Sequence, residues 1–428
     1  MADKRGKIPP GPPEAYQTAD DLLDWMGEQF RNFGDIYKTS LYGTNVYVIR
    51  DLEFANHVLV ENWQNYVKGQ FIKRVALLLG NGLMVSEGEL WKRQRRMIQP
   101  VFQSKSIGAL TKMIAAVNSE LLKRWQLAAQ KNESVNVTHD VSGMALEVVL
   151  RFILGEDYEQ VGPHFDLLTE ESARTLAFAQ AFRNLGKIIL QAADRRRKEV
   201  STSADALSAL LQARDPQSGQ FMEDRQLVNE ILTLVVAGHE TTSSTLNWTW
   251  YLISQHPEVE HRLSKELNTL TGVPELEDLP KLPYSRQVID ESMRLYPAGW
   301  LMTRKALRDD RLGEYFVPAG TEIYVSPYFI HRHPRIWKDP DRFNPDRFGA
   351  DRSGDRHRLA MIPFSAGPRN CVGALFARVE MQIHILMVAK HMRLRYVPSR
   401  PLELDAGVNL RSKHDFIMYP EIKEVGNR

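Results

Sequence analysis

The chain has 428 residues with 55 basic and 53 acidic side chains, a formal net charge of +2. That balance excludes the clear basic excess of a nucleic-acid binder, and 43% hydrophobic with 25% charged residues describes an ordinary soluble globular protein. A single cysteine excludes an internal disulfide and fits a reducing, cytoplasmic setting, and no apolar run is long enough to span a bilayer.

Residues 1–14 read as a Pro-rich arm, Ile8-Pro-Pro-Gly-Pro-Pro13, with no apolar signal segment. Asp20 to Phe33 has the spacing of an amphipathic helix, and Ile36–Leu41 with Val46–Ile49 that of a β-hairpin. Leu52 to Glu61 is a short helix, and residues 62–86, with the apolar patch Val75–Leu79, read as a long loop. Glu87 to Met97 is a helix crowded with Trp91, Lys92, Arg93, Arg95 and Arg96, in which Trp91 and Arg95 share one face at i and i+4. By itself that is a solvated basic face with one packing tryptophan.

Residues 107–130 and 138–155 are helical by periodicity, and 157–193 mostly so. A short helix over Asp205–Ala213 and a turn at Asp215–Gly219 lead to a long helix from Asp224 to Gln255. Its centre is apolar on nearly all sides and should be buried, yet it carries Ala237-Gly238-His239-Glu240-Thr241-Thr242. A Gly, a Glu and two Thr there go against local preference, as functional sites do. Gly238 permits close approach of a flat ligand or dioxygen. Thr241 can bond the carbonyl four residues back and open a kink, and Glu240 can bring in protons. Equally, the threonines cap their hydroxyls on the helix and Glu240 faces water.

Further on, Glu291 and Arg294 can pair at i and i+3 on a helix ending at Tyr296-Pro297. The cluster His331-Arg-His-Pro-Arg335 lacks carboxylates or cysteines at metal-ligand spacing. The single cysteine stands in Phe364-Ser-Ala-Gly-Pro-Arg-Asn-Cys371-Val-Gly373. A lone cysteine is usually a small buried hydrophobe, but this loop of Gly, Pro and Asn presents backbone N–H groups, which stabilises a thiolate. Arg369 adds a cationic fork able to grip a carboxylate. A thiolate beside an Arg suits a haem iron with propionate arms. A helix follows to about His391, and Val408–Leu410 and Phe416–Tyr419 read as closing strands.

The pattern Phe364-x-x-Gly367-x-Arg369-x-Cys371-x-Gly373 resembles the haem-binding loop of the cytochrome P-450 family. Other motifs match in the same order: Trp91/Arg95, Ala237–Thr242, Glu291/Arg294, and Arg347 in Phe343-Asn-Pro-Asp-Arg347-Phe348. The resemblance covers nearly the whole chain. It implies a mainly α fold with small β-sheets, a single haem-containing domain over 1–428, and haem b held by the axial thiolate of Cys371. It implies that Trp91, Arg95, Arg304 and Arg369 hold propionates, with Ala237, Gly238, Phe364 and Gly373 also at the cofactor. Glu240 and Thr241 would relay protons, while Glu291, Arg294 and Arg347 form a structural knot. Lys92, Arg93 and Arg96 would face outward for an acidic electron donor.

The implied reaction inserts one atom of O2 into a hydrophobic substrate such as a fatty acid, terpenoid or steroid. Electrons would come from a ferredoxin, flavodoxin or separate reductase, and the enzyme would be a cytoplasmic monomer with no integral membrane anchor. Val75–Leu79, Val236, Ala237 and Ala298–Leu301 would line the pocket. A peroxide-driven relative, a haem-thiolate isomerase or dehydratase, and a haem sensor are the alternatives, none of which needs the Glu240–Thr241 pair. The family has two long helices and a loop where 157–193 offers few residues, so either the lid is reduced or a loop is missing from this stretch.

Overall fold

A computed structural model describes residues 6–16, 22–41, 43–103, 107–108, 110–169, 176–199, 205–270, 272–350 and 356–423. The chain forms two compact units. One comprises Met1–Arg74, Glu291–Cys371 and Leu404–Arg411, and the other Val75–Asp290, Val372–Glu403 and Ser412–Arg428.

The first unit is built on a five-stranded sheet of β1 (Ile36–Leu41), β2 (Thr44–Ile49), β3 (Tyr66–Lys68), β4 (Met302–Ala306) and β5 (Glu322–Val325). Their spatial order is β1-β2-β5-β4-β3, and β2 runs parallel to β5 while the other pairs are antiparallel. The period-2 alternation of β2 sends Val46 and Val48 to one face and Tyr47 and Ile49 to the other. The first face receives Leu22, Leu23, Met26 and Phe30 of helix α1 (Leu22–Phe33). The second packs on Val58, Leu59 and Ile362, so the chain entering the cysteine loop is seated on the sheet. The Pro-rich arm is pinned along this unit: the Lys38 amide donates to Pro10 O at 2.8 Å and the Phe316 amide to Lys7 O at 2.8 Å.

The second unit is helical, with α2 (Gly88–Ile98), α3 (Thr111–Gln130), α4 (Val137–Leu154), α5 (Leu176–Glu199), α6 (Asp224–Gln255) and α7 (Ala374–His391). A three-stranded sheet, ordered Val135–Asn136, Ile417–Ile422, Met392–Tyr396, closes one side of it. Helix α6 buries Ile231, Leu232, Leu234, Val235, Trp248 and Trp250, as its apolar circumference demands.

Two expectations are corrected. Residues 62–86 are not one loop but hold β3 and a ten-residue helix, Gln70–Leu79, whose Phe71, Ile72, Val75, Leu78 and Leu79 recur at helical spacing. The interval from 157 contains short helical turns to Thr169 and then one long helix, α5, which runs to Glu199, beyond the expected end. Helix α6 runs from Asp224 to Gln255, the bounds expected from the sequence.

Candidate active site

In the first unit the cysteine loop is shaped by its own backbone. Gly367 lies at φ +72°, and a Cβ there would sit 2.0 Å from Leu59 O, so only glycine fits. The Cys371 amide donates to Phe364 O at 2.9 Å and the Asn370 amide to Gly367 O at 3.1 Å. Those two N–H groups therefore hold the turn rather than a ligand. The Cys371 thiol is exposed and in no disulfide. Arg369 lies over the Trp63 ring, 5.9 Å from its centroid, so an aromatic face that the sequence did not flag orients the guanidinium. On β4, Arg304 is buried and donates Nη1 to Thr303 O at 2.9 Å.

The charged knot forms as the spacing implied. Arg294 donates to both oxygens of Glu291, and Arg347 Nε reaches Glu291 Oε1 at 3.3 Å. Arg294 Nη1 also donates to His331 O at 2.9 Å and Pro340 O at 2.6 Å. His331, fully buried, accepts the Ile362 amide on Nε2 at 2.8 Å. It thereby links the knot to the segment leading into the cysteine loop. Burial, with the nearby Arg294 and Arg332 charges, pushes the His331 imidazole down to about 3, so it is a neutral acceptor whose Nε2 is taken by the Ile362 amide. Sequence reasoning could find the knot because Glu-x-x-Arg is local; His331 needed a bond spanning 31 residues.

In the second unit, helix α6 sorts its polar motif onto two faces. Gly238, His239 and Thr242 turn toward protein. A Cβ at Gly238 would lie 2.8 Å from Val149 Cγ2, and His239 Nε2 is 2.7 Å from Ser142 Oγ. Val149 and Ser142 are seven residues apart on α4, hence on one face of it. The smallness of Gly238 is thus required by helix packing rather than by a ligand. Burial lowers the His239 pKa to about 4, which makes it a satisfied core histidine. On the other face, Ala237 and Glu240 are exposed and Thr241 is half-buried, while Ile231–Val235 before them and Thr242–Trp250 after them are buried. Thr241 donates its hydroxyl to Ala237 O at 2.8 Å, and Thr245 and Thr249 repeat this bond one and two turns on.

On α2, Trp91 is buried and Arg95 shares its face, with Arg95 Nε 3.1 Å from Gln99 Oε1. The expected outward basic face is largely tied down. Arg93 donates to Phe221 O at 2.9 Å, Arg96 pairs with Asp215 at 3.0 Å, and Lys92 pairs with Glu89 at 2.7 Å. At the start of α7, Gly373 has Phe102 no nearer than 3.6 Å to the position of an added Cβ. Protein packing leaves room there for a side chain.

The family model for Cytochrome P450 matches residues 15–183 and 164–414. The chain belongs to the cytochrome P450 family. Among relatives of this P450, cyclooctat-9-en-7-ol 5-monooxygenase of Streptomyces melanosporofaciens is 33% identical, covering 86% of this chain and 84% of its own. Pentalenene oxygenase of Streptomyces avermitilis is 30% identical, with 87% of each chain covered. The heme domain of cytochrome P450DA superposes with a TM-score of 0.86 at 21% identity, over 98% of both chains, which fixes the fold.

This P450 is therefore a haem-thiolate monooxygenase that takes a hydrophobic substrate, O2 and electrons from a redox partner, and binds haem b through a cysteine. Its residues fit that group. Within the first unit the one cysteine of the chain is exposed; within the second, Ala237 and Glu240 are exposed on α6 with Val236, Gly238 and Thr241 half-buried beside them, and Gly373 is small where packing does not require it. Among the described residues no helix is long and apolar enough to cross a membrane.

Proposed function

We propose that this P450 hydroxylates or epoxidises a terpenoid-like hydrocarbon in the cytoplasm, as a monomer within a single 1–428 catalytic domain, using a separate ferredoxin, flavodoxin or reductase. Bound haem supplies the chemistry that activates oxygen and attacks an unactivated C–H or C=C bond. Cys371 would hold the haem iron through its thiolate, which would supply electron density to the oxygen chemistry of the bound group. Trp91, Arg95, Arg304 and Arg369 would hold the propionates, and Phe364, Gly373 and Ala237 would contact the cofactor, whereas Gly238 packs against Val149. Glu240 gathers protons from solvent and Thr241 passes them inward, its hydroxyl turning away from Ala237 O to donate. Glu291, Arg294 and Arg347 keep the scaffold of the cysteine loop in place.

The observation that carries this reading is the division of one buried helix into a packed face, Gly238–His239–Thr242, and an open face, Ala237–Glu240–Thr241. A haem sensor or an isomerase has no use for an exposed acid beside a half-buried hydroxyl at that point. The names of the two Streptomyces relatives, which act on cyclooctat-9-en-7-ol and pentalenene, favour a terpenoid over a fatty acid.

Two measurements test it. The Soret band of the reduced, carbon-monoxide-bound protein should be that of a thiolate-ligated haem; a histidine-type band sinks the Cys371 assignment. Titration with pentalenene, lauric acid and a steroid should give a low-to-high spin shift with the terpene. A shift with lauric acid alone overturns the substrate class.

A further inference from the structure

Glu230 is an acid that the reaction does not use, and it is completely buried on α6, two turns before Ala237. Its Oε2 accepts the Leu83 amide at 2.8 Å and its Oε1 accepts Gln226 Nε2 at 2.6 Å. Gln226 Nε2 also lies 3.2 Å from Asn81 O. Gln226, Asn229, Glu230 and Thr233 fall at i, i+3, i+4 and i+7, which is one face of the helix.

The turn Gly80–Ser86 lies directly on that face. An added Cβ at Gly80 would be 2.2 Å from Asn229 Oδ1, and one at Gly82 would be 2.1 Å from Thr233 Oγ1 and 2.7 Å from the Asn229 carbonyl oxygen. The same turn is gripped from its other end by α2. Gln94, buried beside Trp91 and Arg95 in sequence, donates Nε2 to Asn81 O at 2.9 Å and bonds Ser86 Oγ through Oε1. One short turn is thus clamped between the acid of α6 and the helix that carries Trp91 and Arg95. Burial pushes the Glu230 carboxyl up to about 7, while the Leu83 amide and Gln226 pull it down. An acid kept buried against that cost indicates that its acceptor oxygens are needed where they are.

We propose that Glu230 is a positioning residue: it anchors Gly80–Ser86 on α6 and, through Asn81 and Gln94, sets the attitude of α2 and so of Trp91 and Arg95 toward the haem propionates. The proposal rests on the propionate role of that pair.

The test uses the haem-loaded protein and two readouts, hydrogen–deuterium exchange of the peptide spanning 80–86 and the rate of haem transfer to apomyoglobin. In Glu230→Leu both should rise about tenfold, the factor associated with leaving one buried hydrogen-bond donor unsatisfied. Glu230→Gln keeps an acceptor for the Leu83 amide and should stay within about twofold of wild type on both. Gln94→Leu should speed haem loss and open 80–86 less than Glu230→Leu does, because the Leu83 amide keeps its acceptor, and it serves the test if Glu230→Leu does not fold. Unchanged exchange in Glu230→Leu overturns the anchor. Open exchange with unchanged haem loss, in either Glu230→Leu or Gln94→Leu, overturns the coupling to α2. Arg95→Ala is the control for the underlying reading: if it leaves haem loss unaltered, the propionate assignment fails and the proposal with it, whatever the exchange data.

Discussion

Arg294 donates Nε to Glu291 Oε2 at 2.6 Å and Nη2 to Glu291 Oε1 at 2.8 Å, with both side chains fully sealed from solvent. A buried pair of this kind is a weak source of net stability, but removing one member leaves an uncompensated charge. Glu291→Ala is therefore expected to destabilise the protein by about 3–5 kcal/mol. Urea unfolding followed by tryptophan fluorescence measures it; a loss under 1 kcal/mol would mean water replaces the carboxylate (~1 kcal/mol being the scale of an exposed pair).

Gly367→Ala tests the shape of the cysteine loop. The residue is held at φ +72° with Leu59 O where the methyl would go, and backbone atoms cannot retreat as a flexible side chain does. The variant should lose most of the thiolate-type Soret band in the carbon-monoxide complex, with haem remaining as a shifted form.

Gly238→Ala is a milder change, since the methyl meets a side chain, Val149 Cγ2. A cost of about 1–3 kcal/mol is expected for this overpacking. Val149→Ala in the same chain should recover most of it, because the double variant restores the volume. Additive losses in the double-mutant cycle would show that the glycine answers to a ligand instead.

Thr241→Ala should leave haem content and thermal stability unchanged and divert electrons into hydrogen peroxide, since Thr241 bonds only Ala237 O in the helix ladder. Electrons consumed per product formed, measured with a spin-shifting substrate, should rise several-fold. Coupling equal to wild type would remove the relay role.

Two buried groups give opposite pH trends. His239, lowered to about 4 from 6.5, contributes stability that is complete above pH 6.5 and is lost as pH falls through 4. Glu230, raised to about 7 from 4.5, contributes stability complete below pH 4.5 and lost as pH rises through 7. Between pH 5 and 8, Glu230→Gln should therefore flatten the decline of stability toward high pH, as read from urea midpoints. An unchanged slope would mean that Glu230 is ionised across the whole range.

Much of this molecule was legible along the chain because its signals are local. Gly367, Cys371 and Gly373 lie within seven residues, Glu291 and Arg294 share a turn, and the burial of α6 follows from its apolar centre, Ile231, Leu232, Leu234 and Val235. The helix Gln70–Leu79 was legible in the spacing of Phe71, Ile72, Val75, Leu78 and Leu79 but is short and sits in a stretch of mixed character, and the role of Gly238 escaped because its partner, Val149, is 89 positions away.

By itself, then, the sequence determined which residue types meet within a turn or a loop: the cysteine turn, the Glu–Arg pair and the polar interruption of a buried helix, each specified by spacing and backbone preference. Tertiary structure alone decided which side of that interruption faces protein, what His331 links to the cysteine loop, and that a buried acid at Glu230 clamps the turn before α2. Those depend on bonds between distant segments, whose cost in chain entropy is met only when the whole core forms, and no local pattern records them.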